Sequence, residues 1–292
     1  MGAALCALAC WGALWVLRTY WNPLFFFGLW TSATIFVRTL AGDEPLPWHR
    51  QLALMALSIP LWWWFELVNS WVHNWEYHSL FEYGPLEYNL LATLTFSTVV
   101  PALDAAWRLA LRIAVRNAPG EALPEALEGR RGAPPGPFLS RTSRNVPTVL
   151  VIELTGGLIT QVLVIAAPAY FYPLVWVAPF LVLDALVGMR GKPNFVRLIQ
   201  RREWTLPLAV GLAGLGCGFF WEFWNFWASP KWTYTIPFVQ VLPLFEMPLL
   251  GYGGYVPFAW SVYQLVSLLD DLLRRWSSHS LMRASYPRVP GS

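Results

Sequence analysis

The sequence predicts an all-α fold: a polytopic transmembrane helical bundle of about eight spans, arranged as two parallel four-helix repeats. Three observations predict it. Of 292 residues, 56% are hydrophobic and 13% are charged, against about 25% charged in an ordinary soluble domain. So few charged groups cannot cover a soluble fold of this size, and the same apolarity excludes a disordered chain. The basic residues segregate between alternate loops, and a set of short motifs recurs in order along the chain.

A bilayer core of about 30 Å takes roughly 20 apolar residues per helix. Eight segments answer to that length, at about 3–17, 20–37, 51–73, 88–108, 147–168, 172–189, 205–228 and 252–273. The first is short, but no basic residue precedes Arg18, so it reads as a helix and not as a signal peptide. Residues 117–144 carry several charges and Pro134-Pro135-Gly136-Pro137, and read as a basic cytoplasmic linker. The linker separates a first repeat, 1–116, from a second, 145–276. Residues 277–292, rich in Ser, Pro and Arg, read as a disordered cytoplasmic tail.

With eight spans, 18 of the 20 Lys and Arg residues fall on one side, and only Arg18 and Lys231 on the other. The positive-inside rule then places both termini in the cytoplasm.

The repeats are read from four matches. Tyr20-Trp21-Asn22-Pro23-Leu24 returns as Tyr170-Phe171-Tyr172-Pro173-Leu174. Trp64-Phe65-Glu66-Leu67-Val68-Asn69-Ser70-Trp71 returns as Phe220-Trp221-Glu222-Phe223-Trp224-Asn225-Phe226-Trp227. Trp75-Glu76-Tyr77 returns as Trp232-Thr233-Tyr234, and Pro85-Leu86-Glu87 as Pro243-Leu244-Phe245-Glu246. Both copies continue into an apolar helix with an internal proline, Pro101 or Pro257. Four spans per copy make the two copies run in the same direction.

Ionisable residues within a span are functional candidates by default. Glu66 and Glu222 lead, each flanked by Trp and followed at i+3 by Asn69 or Asn225 on the same helix face. His73 continues the face of Glu66. Glu87 and Glu246, at the entrances of the fourth and eighth helices, are expected to face Glu66 and Glu222 across a cavity. Paired carboxylates in an apolar site push one pKa upward and leave a protonated acid. The alternative reading makes Glu and Asn interhelical glue, and Glu87 and Glu246 partners of a helix dipole. Glu153 and Asp184 have no counterpart in the first repeat and read as structural, Asp184 as the partner of a linker arginine.

The 19 Trp residues divide. Trp48, Trp75, Trp204 and Trp232 fit the aromatic belt at the bilayer interface. Trp62, Trp63, Trp64, Trp71, Trp221, Trp224 and Trp227 cluster around the intramembrane Glu residues. Aromatic faces stabilise cations in dry sites. An acid among aromatics is therefore equipped to protonate an alkene and guide the resulting carbocation.

Other chemistries find no residues. There is no Walker motif, no G-x-G-x-x-G and no G-x-S-x-G. The only aspartate pair, Asp270-Asp271, lies at a cytoplasmic helix end, which disfavours phosphate chemistry. Cys6, Cys10 and Cys217 show no disulfide or metal spacing, and His49, His73, His78 and His279 form no ligand pair. No metal or cofactor is expected, and the basic loops reflect topology and not nucleic-acid binding.

Trp75-Glu76-Tyr77, then Gly84-Pro85-Leu86-Glu87-Tyr88 with Phe96 downstream, resembles the integral-membrane lycopene cyclase domains of carotenoid biosynthesis. Those are small, tandemly duplicated helical modules with a Trp-x-Tyr/Phe stretch, a Pro-x-Glu-Glu motif and a Phe-rich helix. Trp232-Thr233-Tyr234 with Leu242-Pro243-Leu244-Phe245-Glu246 is similar, as is Tyr172-Pro173-Leu174 with Asp184-Ala185-Leu186-Val187. The second acid of Pro-x-Glu-Glu is Tyr88 here, and Glu246 is displaced by one position. The resemblance implies a membrane-embedded cyclase or isomerase of isoprenoids, working among membrane lipids on a hydrophobic isoprenoid-type substrate.

In that reading Glu66, Glu222, Glu87 and Glu246 supply acid and base. Asn69 and Asn225 orient them. Trp64, Trp71, Trp221, Trp224, Trp227, Tyr77 and Tyr234 contact the substrate. The competing expectation is a non-catalytic transporter or a lipid- or small-molecule-binding protein using the same duplicated Glu and Asn residues. A structural subunit of a larger membrane complex is a third.

Overall fold

The computed structural model describes residues 1–117 and 148–284, with side chains for 1–116 and 148–273. Residues 118–147, which take in the linker from 118 to 144, and residues 285–292 lie outside the described residues. The described chain is mostly helical.

The first half runs α1 (Gly2–Val16), α2 (Asn22–Leu40), α3 (Trp48–Val72), strand β1 (Trp75–His78), α4 (Pro85–Phe96) and α5 (Val99–Asn117). The second half opens with α6 (Thr148–Ala166), the short α7 (Pro168–Phe171), a 3-10 turn (Tyr172–Val175) and α8 (Val177–Met189). It continues with α9 (Phe195–Gln200), α10 (Thr205–Asn225), β2 (Lys231–Tyr234), β3 (Pro243–Leu244), β4 (Met247–Pro248), a 3-10 turn (Leu249–Gly254) and α11 (Tyr255–Ala284).

Among the described residues five helical stretches are long and apolar enough to cross a bilayer: α2, α3, the α4–α5 run over Pro85–Arg116, α6 and α10. A sixth forms if α7, its 3-10 turn and α8 count as one span bent by 44°. The expected first and eighth segments behave differently. At 15 residues, α1 covers only about 22 Å at 1.5 Å per residue. In α11 the apolar run is diluted by polar residues such as Ser261 and Gln264, both fully buried. These side chains face protein, so this helix does not need a lipid-compatible composition. It also continues to Ala284, into the stretch read as a tail.

On α6 the exposed residues include Ile152, Leu158, Ile159 and Val162. An apolar outer face is what lipid requires and water does not.

Helix pairs recur between the halves. In the first, α1 packs on α2 and α2 on α5; in the second, α6 packs on α8 and α8 on α11. The halves join where α10 packs against α5. The break between α4 and α5 is closed by Ser58 of α3, whose Oγ donates to the Phe96 carbonyl at 2.5 Å and accepts from Val100 N–H at 3.1 Å. At the start of α2, Asn22 is fully buried, and its Nδ2 donates to the Leu14 carbonyl at 2.9 Å, closing the turn from α1.

The short strands are the departure from an all-α reading. β1 and β2 pair antiparallel, Trp75 with Tyr234, Glu76 with Thr233, Tyr77 with Trp232 and His78 with Lys231. One face of this ribbon is aromatic, while Glu76 and His78 on the other are exposed.

At the opposite end of α3 the charges collect. Arg38 pairs with Asp104, Arg108 Nε with Asp104 Oδ2 at 3.0 Å, Arg112 with Asp43 at 3.1 Å and Arg50 with Asp270 at 2.5 Å. The linker arginines expected beside Asp184 lie outside the described residues. Its carboxylate accepts the backbone N–H of Phe195 at 2.7 Å and of Val196 at 3.0 Å, which fixes the start of α9. Glu153 joins the same corner by accepting from Asn194 Nδ2 at 3.0 Å.

Candidate functional site

Glu66 lies one turn before Asn69 near the end of α3, and Glu222 occupies the same place before Asn225 on α10. Glu222 is fully buried and Glu66 is partly buried. Each carboxylate directs one oxygen into a crown of three aromatic donors. Glu66 Oε1 accepts from Tyr77 OH at 2.6 Å, Trp62 Nε1 at 2.9 Å and Trp75 Nε1 at 3.2 Å. Glu222 Oε1 accepts from Tyr255 OH at 2.6 Å, Tyr234 OH at 2.7 Å and Trp232 Nε1 at 3.4 Å.

The ribbon supplies four of these six donors. Residues i and i+2 of a strand share a face, so Trp75 and Tyr77 turn together toward Glu66, and Trp232 and Tyr234 toward Glu222. Trp75 and Trp232, expected in the interfacial belt, turn their indole N–H groups toward the two carboxylates. Burial, followed by the nearby carboxylate, pushes the Tyr77 and Tyr234 phenols well above their ordinary pKa. Both stay protonated and available as donors or relays.

Asn69 and Asn225 do not touch the carboxylates. Each holds a strand. Asn69 Nδ2 donates to the Trp75 carbonyl at 2.7 Å, and Trp75 N–H donates back to Asn69 Oδ1 at 3.2 Å. Asn225 repeats this with Trp232, at 2.7 and 2.8 Å. A side-chain amide paired with a peptide group in this way mimics one rung of a ladder. The i+3 spacing thus ties each Glu to the strand that brings its donors.

All six donors line one cavity, with about 140 Å³ of free space. Phe26, Phe96, Trp176 and Trp221 complete its aromatic wall. Trp176, at the bend before α8, packs on Phe65 with ring centroids 4.8 Å apart and stacks on Trp75 at 5.9 Å. Tyr88 lines the cavity and is 40% exposed, so the space reaches the surface beside α4. The carboxylates stand behind the donors and not in the lining.

Neither Glu87 nor Glu246 joins a crown, although Glu246 lies near enough to Glu222 for their charges to interact. Glu87 is hydrogen-bonded to Tyr20, a bond that pushes the Tyr20 phenol up to about 12. Glu246 pairs with Lys231 at 2.5 Å. Trp64, Trp71 and Trp227 are 42%, 49% and 55% exposed and lie outside the cavity wall. On a helix with one buried stripe, positions two before and five after Glu66 face outward. Trp224 is buried but packs on Trp30 and accepts Trp15 Nε1 at its carbonyl, at 3.1 Å. Trp221 lines the cavity. His73 ends α3 in a left-handed conformation and takes no part.

Trp62 and Tyr255, each the third donor of its crown, come from outside the recurring motifs. They are related by an exchange of bulk. The spacing that carries Glu66 to Glu222 and Pro101 to Pro257 also carries Trp62 to Gly218 and Val99 to Tyr255. Near Glu66 the large ring stands on the same helix. Near Glu222 that position is glycine, and the ring comes from α11. A side chain at Gly218 would place its Cβ 2.2 Å from Tyr255 Cδ2.

Among the described residues no group of three or more His, Cys, Asp or Glu is placed to hold a metal ion. No family model, curated protein or solved structure matches this chain.

Proposed function

We propose that the protein is a membrane-embedded enzyme that cyclises or isomerises an isoprenoid by protonating one of its double bonds. One observation carries the reading: the donors to two carboxylates, one fully and one partly buried, all line the same aromatic cavity. The apolar lining suits an alkene, and its ring faces suit the cation that protonation creates. A cavity of about 150 Å³ holds a benzene-sized group, so the space near 140 Å³ takes one end of a polyprene. The rest of the chain lies along the surface beside Tyr88.

In this mechanism a protonated Glu passes its proton to a tyrosine oxygen, and that tyrosine gives its own proton to a terminal alkene carbon. The π pair becomes the new C–H bond, leaving a cation on the neighbouring carbon. A second double bond of the same chain attacks the cation and closes a ring. The other Glu, as carboxylate, takes up through its tyrosine the proton lost from the carbon beside the new cation. Substrate and product are isomers, and the proton balance is zero. The family resemblance in the sequence supports the same class of substrate.

The proposal includes eight membrane segments in two parallel repeats, with α1 and α11 as the first and eighth, and both termini in the cytoplasm. The self-matching register of β1 and β2 and the recurring helix pairs support it.

The test is expression in cells that accumulate linear polyprenes, with product analysis. Cyclised or isomerised product, lost in Glu66→Gln and Glu222→Gln, supports the reading. No product from any polyprene, or turnover that survives both substitutions, overturns it. The position of the carboxylates behind the lining favours a second reading, a binding or transport site. Retention of the polyprene by the purified protein without conversion would select it.

A further inference from the structure

The two crowns differ in a way that assigns the protons. An indole N–H can only donate, whereas a phenol oxygen can donate or accept. Glu66 Oε1 accepts two indoles, Trp62 at 2.9 Å and Trp75 at 3.2 Å, and one phenol, Tyr77. Two obligatory donors on one oxygen, in a residue that is only partly buried, make a setting for a carboxylate. Hydrogen bonds to the charged form favour that form.

Glu222 Oε1 meets two phenols, Tyr255 and Tyr234, at 2.6 and 2.7 Å, and a single indole at 3.4 Å. Its other oxygen, Oε2, is buried with no hydrogen-bond partner among the described residues. An isolated carboxylate with one unsolvated oxygen is costly, and protonation removes the charge. The groups facing Glu222 are Trp232 and Tyr234 of β2, Tyr255 of α11, Tyr252 of the preceding turn, and Glu246, itself paired with Lys231. Lys231 is taken by Glu246. Tyr77 and, from α4, Tyr88 face Glu66.

We infer that the two acids are inequivalent: Glu222 stores the proton and delivers it through Tyr255 or Tyr234, while Glu66 is held as the carboxylate that receives a proton through Tyr77. The exchange of Trp62 and Val99 for Gly218 and Tyr255 makes this difference. It replaces a donor-only ring by one that accepts. Tyr255 is then a proton-relaying residue, and Gly218 a positioning residue that lets it reach.

The assignment rests on the proposed chemistry, but its test does not need turnover. Infrared spectra of the purified full-length protein in lipid discs at neutral pH would resolve the carbonyl stretch of protonated carboxyl groups. The wild-type minus Glu222→Gln difference is expected to contain such a band, and the wild-type minus Glu66→Gln difference to lack it. Tyr255→Phe removes one hydrogen bond and is expected to move the band to higher frequency without abolishing it. This variant keeps the test open if Glu222→Gln does not fold. A protonated-carboxyl band that disappears with Glu66, or one unmoved by Tyr255→Phe, overturns the assignment. A correct band pattern in a protein that converts no polyprene leaves the assignment standing and removes the enzymatic reading.

Discussion

Tyr255 reaches Glu222 over Gly218: its hydroxyl lies 2.6 Å from the carboxylate, and its ring covers the place a Cβ on residue 218 would fill. The fit is close enough to be tested by a methyl group. Gly218→Ala is expected to cost about 1–3 kcal/mol, the range for overpacking a well-filled site. In a Tyr255→Leu background the same substitution is expected to be nearly neutral. A double-mutant cycle of thermal or denaturant unfolding in detergent reads the coupling directly. Equal costs in both backgrounds would mean that the glycine serves something other than this ring.

The two asparagines are expected to matter through the ribbon. Asn69→Ala and Asn225→Ala each leave a strand peptide group unpaired in a buried site, at a cost of about 1–3 kcal/mol. Asn→Asp keeps the acceptor for the strand N–H but loses the donor to the carbonyl, and is expected to fall between Ala and wild type. Protection of the Trp75 and Trp232 amides from hydrogen exchange reports the loosening without recourse to activity.

Polyprene conversion is expected to separate the four acids. Glu66→Gln and Glu222→Gln abolish it, while Glu87→Gln and Glu246→Gln retain most of it. The latter two hold Tyr20 and Lys231 and are not bonded into either crown. Product yield at matched membrane abundance is the measurement. A loss at Glu246 equal to that at Glu222 would return it to the reacting centre.

Alkaline stability follows from the phenols. Tyr77 and Tyr234 have folded-state pKa values raised by burial, and Tyr20 one raised by Glu87. For a raised pKa the folded state holds its proton longer than the unfolded chain. Their contribution is therefore complete below the unfolded phenol value near pH 10 and is lost as the pH climbs toward the folded values. Stability is expected to be flat with respect to these groups up to about pH 10 and to fall above it. Absorbance of tyrosinate, followed beside unfolding, should show a set of phenols that ionise only as the protein opens.

Much of this site was written in the sequence, though not all of its logic. The repeated Glu-x-x-Asn-x-Trp and Trp-x-Tyr motifs located both carboxylates and four of their donors. What Asn69 and Asn225 do was hidden, because a side-chain amide on a helix face gives no sign that its partner is a strand peptide. The strands themselves were hidden too. Four residues following an apolar helix carry too short an alternation to stand out from it. Tyr255 was invisible as a partner of Glu222 because it is 33 residues away. The signal for it was the paired change at Trp62/Gly218 and Val99/Tyr255, which becomes informative once the helices are known to touch. The outward Trp64, Trp71 and Trp227 read with the site in the sequence, because proximity along the chain does not tell which side of a helix faces inward.

The ribbon's register carries a mechanical consequence. Trp75 faces Tyr234 and Tyr77 faces Trp232, so the aromatic face reads the same from either strand. The ribbon acts as a yoke across two levers. A tilt that lifts Tyr77 from Glu66 also moves its partner Trp232 beside Glu222, and a one-residue slip of either strand would turn both of that strand's rings out. Movement of the ribbon as one body would loosen donors at both acids in the same step, leaving Trp62 on Glu66 and Tyr255 on Glu222.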